Sequence, residues 1–467
     1  MRTDRFTPFA PLCLLAVLGG CGGGSNPLSD LPGTPIAPEP SIPFDSGTVP
    51  MPPSSPGGVD GAVALKRGCG WTLAFDPAIP SLGNTAFPDT GARYWVAYVA
   101  PDQPTGTTLK IEGRYANTRY AALHVHDGNL LVLDAQAEYQ LRPDTGASTP
   151  WLDITTRQAN ATLGGRYSAT LRFNEAPPAS RQVNVLYRPT PLTTDSIAKR
   201  TTALVYRTYL PVGENTGGVG LPRLTLHAAG GELPLSNAED AAACAQIGSH
   251  FYQDGAAIPG ITNLLDPAPP LPKPVFKKFE SLLLALSGSG VGLNNHNAFA
   301  YIKTERNYGE LLLVRGLPPS HTGDASAGNP PQVRYWSLCQ YGFNTQKVYG
   351  CVPDEDAALD REGRYTLVVS RDTPPPLATR AWGFNTLPFG PERIGTLTMR
   401  ELLAHPTFAE AIVRTSFGEA GSASRGIHQP KATYCSRAVF DASAAQGAAA
   451  AFSACLESRR VLPQAPE

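Results

Sequence analysis

Short runs of β-branched and aromatic residues, each closed by a cluster of turn formers, recur along this chain and restrict what it can fold into. Tyr94 to Val99 (YWVAYV) is the clearest, held between Pro88-Asp89-Thr90-Gly91 and Pro101-Asp102. Such side chains suit a pleated, half-buried surface, and proline and glycine interrupt the ladder on either side. Further strands are predicted over Thr107–Glu112, Arg119–Asp127, Tyr167–Phe173, Gln182–Tyr187, Thr202–Leu210 and Arg223–Ala228. Turn clusters such as Gly213-Glu214-Asn215-Thr216-Gly217-Gly218 separate them. Many short strands with little helix between them point to a mostly β protein of sandwich or jelly-roll type, not to βαβ units.

The same signals return over Phe299–Thr304, Glu310–Arg315, Val333–Gln340, Lys347–Val352 and Tyr365–Ser370. Residues 254–274, which carry six prolines, read as a linker between the two groups. About 400 residues beyond the N-terminal region exceed one ordinary core. Two tandem β-rich domains are therefore expected, over 61–253 and 275–467, with a few peripheral helices. One helix is predicted over Asn237–Phe251, capped by Ser236 with Glu239 as the reciprocal acceptor. Val275–Leu286 reads as an amphipathic helix, with Phe276, Phe279, Leu283 and Leu286 on one stripe. Thr398–Ala404 and the Ala-rich Asp441–Arg459, capped by Asp441 and weakened at Gly447, complete the set. No repeat of 20–50 residues is visible, and the halves do not look like copies.

The N-terminus speaks to location. Arg2 and Arg5 precede a short apolar run, Phe9–Leu18, so residues 1–20 read as a secretory signal. That run is too short to cross a bilayer, which takes roughly 20 residues as a helix. Leu18-Gly19-Gly20-Cys21 resembles a bacterial lipobox, which makes Cys21 the lipidated first residue of the mature chain. An ordinary signal with an incidental cysteine is the alternative. Gly22 after the cysteine, by resemblance to lipoproteins of two-membrane bacteria, favours the outer membrane. Residues 21–60, rich in Pro, Gly and Ser, read as a disordered tether. In an exported chain the six remaining cysteines read as three bridges: Cys69–Cys244, Cys339–Cys351 and Cys435–Cys455. A zinc site, the rival, needs a closer cluster such as C-x2-C. Formal net charge is −1 with the basic residues scattered, which argues against nucleic acid as a partner.

Four stretches resemble uncharacterised bacterial envelope proteins related to the DUF1254/DUF1214 group. They are Asn84–Trp95 (NTAFPDTGARYW), Leu109–Asp127 (LKIEGRYANTRYAALHVHD), Tyr206–Leu221 (YRTYLPVGENTGGVGL) and Arg334–Tyr365 (RYWSLC…GCVPDEDAALDREGRY). The resemblance implies two β-rich domains of sandwich or jelly-roll type. It implies no settled chemistry and assigns no catalytic residue.

Candidate chemistry is sparse. His124 and His126 sit two apart on a predicted strand and share a face with Tyr120. With Asp127 or Asp134 they could begin a metal site, which would need further ligands; a polar face open to water is the alternative. Arg114, Arg119 and Tyr120 flank a turn and could grip a carboxylate or an anionic sugar. Alternatively, Arg119 pairs an acid such as Asp89 on a neighbouring strand. Trp95, with Tyr94, Trp151, Tyr335 and Trp336, is either a sugar-stacking platform or core. Asp354-Glu355-Asp356 and Asp360 read as a solvated acidic turn without EF-hand spacing. Ser287-Gly288-Ser289-Gly290 is not a nucleophile elbow, and no phosphate or dinucleotide loop occurs, so no cofactor is expected. Two readings follow: an envelope lipoprotein that binds a small molecule, glycan or protein partner between its domains, or a surface-tethered hydrolase or metal-dependent enzyme.

Overall fold

The computed structural model describes residues 65, 68–76, 87–128, 131–158, 163–191, 197–236, 268–278, 294–324, 330–415 and 425–461. Residues 61–467 make one compact unit. The predicted helix at 237–251 and most of the predicted linker lie outside the described residues.

In the first half the strands are β1 (Gly68–Phe75), β2 (Ala92–Val99), β3 (Thr108–Arg114), β4 (Tyr120–Asp127), β5 (Val132–Ala137), β6 (Arg166–Phe173), β7 (Val185–Arg188), β8 (Thr202–Tyr209), β9 (Arg223–Ala228) and β10 (Gly231–Pro234). The second half contributes β11 (Lys277–Lys278), β12 (Asn297–Glu305), β13 (Leu311–Gly316), β14 (Val333–Gly342), β15 (Val348–Pro353), β16 (Tyr365–Ser370), β17 (Phe384–Pro388), β18 (Ile394–Ala404) and β19 (Lys431–Cys435). They form four sheets, ordered β1-β2-β8-β4-β5, β10-β9-β3-β6-β7, β11-β12-β18-β14-β15 and β17-β16-β13-β19. The mostly β, sandwich-type architecture expected from the strand signals is present.

Alternation along each strand explains the layering. Trp95, Ala97 and Val99 of β2 and Leu123 and Val125 of β4 point inward against Leu109, Ile111 and Leu171 of the facing sheet. Ile302, Trp336, Leu338 and Met399 likewise meet Leu312, Val314 and Leu367 in the second sandwich. The opposite faces of the β4-containing and β14-containing sheets then pack on each other, through Tyr120, Ala122 and Tyr209 against Tyr335 and Leu402. Every residue of β4, β8 and β14 is consequently buried. The outer face of the β13 sheet is closed by the C-terminal helices, where Leu313, Val368 and Phe384 meet Phe440, Ala451 and Phe452.

The two halves repeat one topology, which the sequence did not reveal. Adding ten to each strand number of β1-β2-β8-β4-β5 gives the order β11-β12-β18-β14-β15, and β9-β3-β6-β7 maps onto β19-β13-β16-β17. The parallel pair recurs as β6 with β7 and β16 with β17. Register places Arg207 opposite Ala122 in one half and Arg400 opposite Ser337 in the other. Each guanidinium lies over an aromatic ring of the next strand, Arg207 on Tyr94 at 5.3 Å and Arg400 on Phe299 at 5.1 Å. Leu210, just past β8, and Leu403, the last residue but one of β18, both take positive φ, 46° and 51°. Their N–H groups donate to Gly91 and His296 carbonyls, each at 2.9 Å.

Three helix expectations change. Thr398–Ala404 is strand, the end of β18, paired on both sides with β12 and β14; neighbours on both edges override the helix-forming Met, Arg, Glu and Leu side chains. Lys277–Lys278 pairs with Tyr301 and Ala300 as strand, with Phe276 buried beside it, and residues beyond 278 in that predicted helix are outside the described set. The C-terminal segment is two helices, Arg437–Ala444 and Ala448–Val461. The cap is Ser436, whose hydroxyl accepts from Val439 N–H, and Gly447 at φ 100° makes the break. A left-handed residue cannot continue an α-helix.

Two expected disulfides are formed. Cys339–Cys351 staples directly opposed residues of β14 and β15, and Cys435–Cys455 ties β19 to the last helix. Cys69 is also disulfide-bonded; its expected partner, Cys244, lies outside the described residues, as does Cys21. Among the described residues no helix is long and apolar enough to cross a membrane.

Candidate functional site

Side chains of β4 and β8 that face the second half build a polar seam. Tyr120 Oη lies 3.1 Å from His124 Nε2 and 2.8 Å from His296 Nδ1. Arg207 stands 3.2 Å from His126 Nε2. Burial drives His124 well below the ordinary imidazole range, with Arg207 adding to it, and takes His296 down to about 3. These rings are neutral. On the pseudo-equivalent side Asp89 pairs with Arg400 and accepts from Tyr335 Oη at 3.1 Å and Ser337 Oγ at 2.7 Å. The face carrying His124 and His126 is thus not open to water, because another sheet covers it. Asp127 does not join the pair: it accepts from Leu131 N–H at 2.9 Å, on the alternate side of the strand.

Two acid–base pairs cross the seam at corresponding places. Arg334 of the second half meets Glu138 of the first at 2.5 Å, and Arg119 of the first meets Asp354 of the second at 2.8 Å. Each acid opens a 3-10 turn after an edge strand, Glu138–Gln140 or Asp354–Asp356. Each also accepts a backbone N–H, from Ala121 at 2.9 Å and from Trp336 at 3.3 Å. Their surroundings then diverge. In the first half the connection from Gln140 to Arg166 is long, and its residues 141–158 close over the pair. It lays Trp151 against the Arg334 guanidinium at 3.3 Å, and Arg157 sits over the same ring at 5.3 Å. In the second half the connection is only 357–364, and a cavity of about 410 Å³ remains.

That cavity is lined by the polar side chains Ser320, His321, Asp324, Gln332, Asp354 and His428 and by apolar ones including Leu317, Leu359 and Ile427. His321 Nδ1 faces two donors, Arg119 at 3.0 Å and Gly323 N–H at 3.1 Å. Its proton therefore sits on Nε2, 3.5 Å from Asp324 Oδ1. His428 Nδ1 is 3.1 Å from the Leu317 carbonyl and must donate there, which leaves Nε2 to accept from the Gln332 amide at 3.4 Å. Burial, then Arg119, lowers His321 to about 4. Burial raises the Asp354 carboxyl to about 7 even with Arg119 beside it. Asp354 Oδ1 and Trp336 Nε1 are buried without a hydrogen-bond partner. Such an arrangement suits holding a polar molecule by a few convergent groups against apolar walls.

Among the residues singled out from sequence, Arg119 reaches the edge of this cavity, but paired with Asp354 and Glu355, not Asp89. Asp354, expected in a solvated turn, is buried by that contact. Tyr120 belongs to the seam, Trp95 is core, and Arg114 is exposed, donating to the Gly164 carbonyl at 3.0 Å. The aromatic platform is likewise dispersed into core and seam. Sequence reading missed His321, Asp324, Gln332 and His428. A usable signal was present: Arg119-Tyr120 and Arg334-Tyr335 begin corresponding strands. Among the described residues one group of three His, Cys, Asp or Glu side chains lies close enough to share an ion, Asp89 with Cys339 and Cys351, and both sulfurs are spent in a disulfide.

The fold and this cavity define a tandem β-sandwich protein with one half closed and one half open at the same position. No protein-family model matches the chain, and no curated protein does. Among solved structures it is similar to an uncharacterized protein from Burkholderia cenocepacia, at 14% identity and a TM-score of 0.46, over 78% of this chain and 81% of that one. It is also similar to a protein from Vibrio parahaemolyticus, at 12% identity and a TM-score of 0.35, over 74% of this chain and 90% of that one.

Proposed function

We propose that this protein is a lipid-anchored binding protein of the bacterial envelope, related to the DUF1254/DUF1214 group and moored through Cys21, most simply at the outer membrane. Its folded body captures a small molecule, or one unit of a glycan, in the cavity over Asp354. The carrying observation is that the second half leaves open a space which the first half fills with its own Trp151 loop. The disulfides fit an oxidising compartment outside the cytosol. Binding is preferred to hydrolysis because the hydroxyl in the lining, Ser320 Oγ, accepts from Gln332 N–H at 3.1 Å, and among the described residues neither His321 nor His428 pairs with it.

Mass spectrometry of compounds released by denaturing natively purified protein tests the site. Wild type should release a compound that Leu359→Trp, which fills the cavity, lacks; identical release from both refutes the site. Palmitate labelling tests the anchor. The label should vanish in Cys21→Ser, and continued labelling would remove Cys21 as the acceptor.

A further inference from the structure

Resting on that cavity as the binding site, we infer that its ligand is a small organic cation, an ammonium or guanidinium group carried on an apolar stem. The lining residues include two carboxylates, Asp324 and Asp354, and no lysine or arginine among the described residues. A third, Glu410, stands behind His428 at 3.7 Å. Arg119 approaches from the other half, but its guanidinium is engaged by Asp354, Glu355 and His321. Asp324 and Glu410 have no arginine or lysine partner among the described residues: each is paired only with an imidazole, His321 or His428. Both imidazoles are neutral on hydrogen-bond grounds alone. His321 Nδ1 faces two donors, and His428 Nε2 faces the Gln332 amide. Negative charge at the cavity is therefore left for something from outside to balance.

The stem follows from the walls. Leu359 and Ile427 line the cavity yet remain 46% and 60% exposed, apolar surface that a ligand would cover. The first half supports the same chemistry from within the chain. There the loop that closes over Glu138 brings a guanidinium, Arg157, stacked on Trp151. The second half, with its short connection, offers a buried acid at the corresponding position and, among the described residues lining the cavity, no cation of its own. Asp354 Oδ1, buried and unpartnered, is a ready acceptor at the base.

Calorimetric titration of the mature protein with n-butylguanidinium, n-butanol and glucose tests this. Butylguanidinium should bind at least tenfold more tightly than n-butanol, which has the same stem without charge. Asp324→Asn keeps the acceptor for the His321 N–H and should weaken the cation about tenfold, with Glu410→Gln acting in the same direction. Equal affinity for n-butanol, or unchanged binding in both variants, overturns the inference. Glucose binding that Leu359→Trp abolishes would overturn the cation while leaving the cavity as the site. A released native compound absent from Leu359→Trp and bearing no cationic group would do the same.

Discussion

Asp354 and His296 respond to pH in opposite senses, and the reason is burial in both cases. His296 lies at about 3 against an ordinary 6.5, so its contribution to stability is whole above pH 6.5 and drains as pH falls toward 3. Asp354 lies at about 7 against an ordinary 3.8, so its contribution is whole below pH 3.8 and is lost as pH rises through 7. Denaturant unfolding of Asp354→Asn and wild type between pH 4 and 8 should show the difference moving in favour of the variant as pH rises. The expected slope is about 1.4 kcal/mol per unit where Asp354 titrates, and a flat difference would disprove the shift. Charge removal at the corresponding pair should be costlier. Arg334 is fully buried and Arg119 is 10% exposed. Arg334→Met strands Glu138 and should cost about 3–5 kcal/mol in urea unfolding, more than Arg119→Met, which removes a guanidinium that lies nearer solvent.

Elements were legible where one edge or one face settles the matter. The alternation of Tyr120, His124 and His126 against Ala121, Leu123 and Val125 gave the faces of β4 correctly, since strand geometry is local. What covers each face is not local, so a polar face read as solvated is instead a joint between sheets. β18 shows the same limit from the other side, because pairing on both edges outweighs the helix preference of its residues. The hairpin disulfide was readable because its cysteines are close in sequence and bracket a turn. Gly447 marks the helix break more strongly than its spacing suggested. Gly447→Ala has open space for its methyl group, so its cost is conformational, about 1 kcal/mol, and thermal unfolding should show a small drop in Tm. No drop would mean that the break tolerates a side chain at positive φ.

On the scale of the whole molecule, two copies of one topology meet through corresponding sheets. The seam between them holds Tyr120, Tyr209, Tyr335, His124 and Arg400, all buried. Residues 61–267 expressed alone would leave that face uncovered and should self-associate or precipitate, whereas co-expression with residues 268–467 should recover one soluble complex. Size-exclusion chromatography decides between these, and a soluble, monomeric first half would show that the seam is dispensable. The repeat itself escaped sequence reading because its common residues serve packing at wide spacing. Gly113 faces Tyr167 and Gly316 faces Tyr365 in matching registers, and a methyl group on either glycine would collide with the ring. A few such positions suffice to hold a sandwich, and the rest of each strand needs only the right alternation.

Strand alternation, turn residues and cysteine spacing, all properties of neighbours along the chain, determined the β-sandwich class, the stapled hairpin and the disulfide joining β19 to the last helix. The duplication, the dry joint between the halves and the cavity over Asp354 were decided by tertiary structure. Each arises where residues far apart in sequence shut out water, and exclusion of water is what neutralises His296, lifts Asp354 and turns a surface-looking strand into an interface.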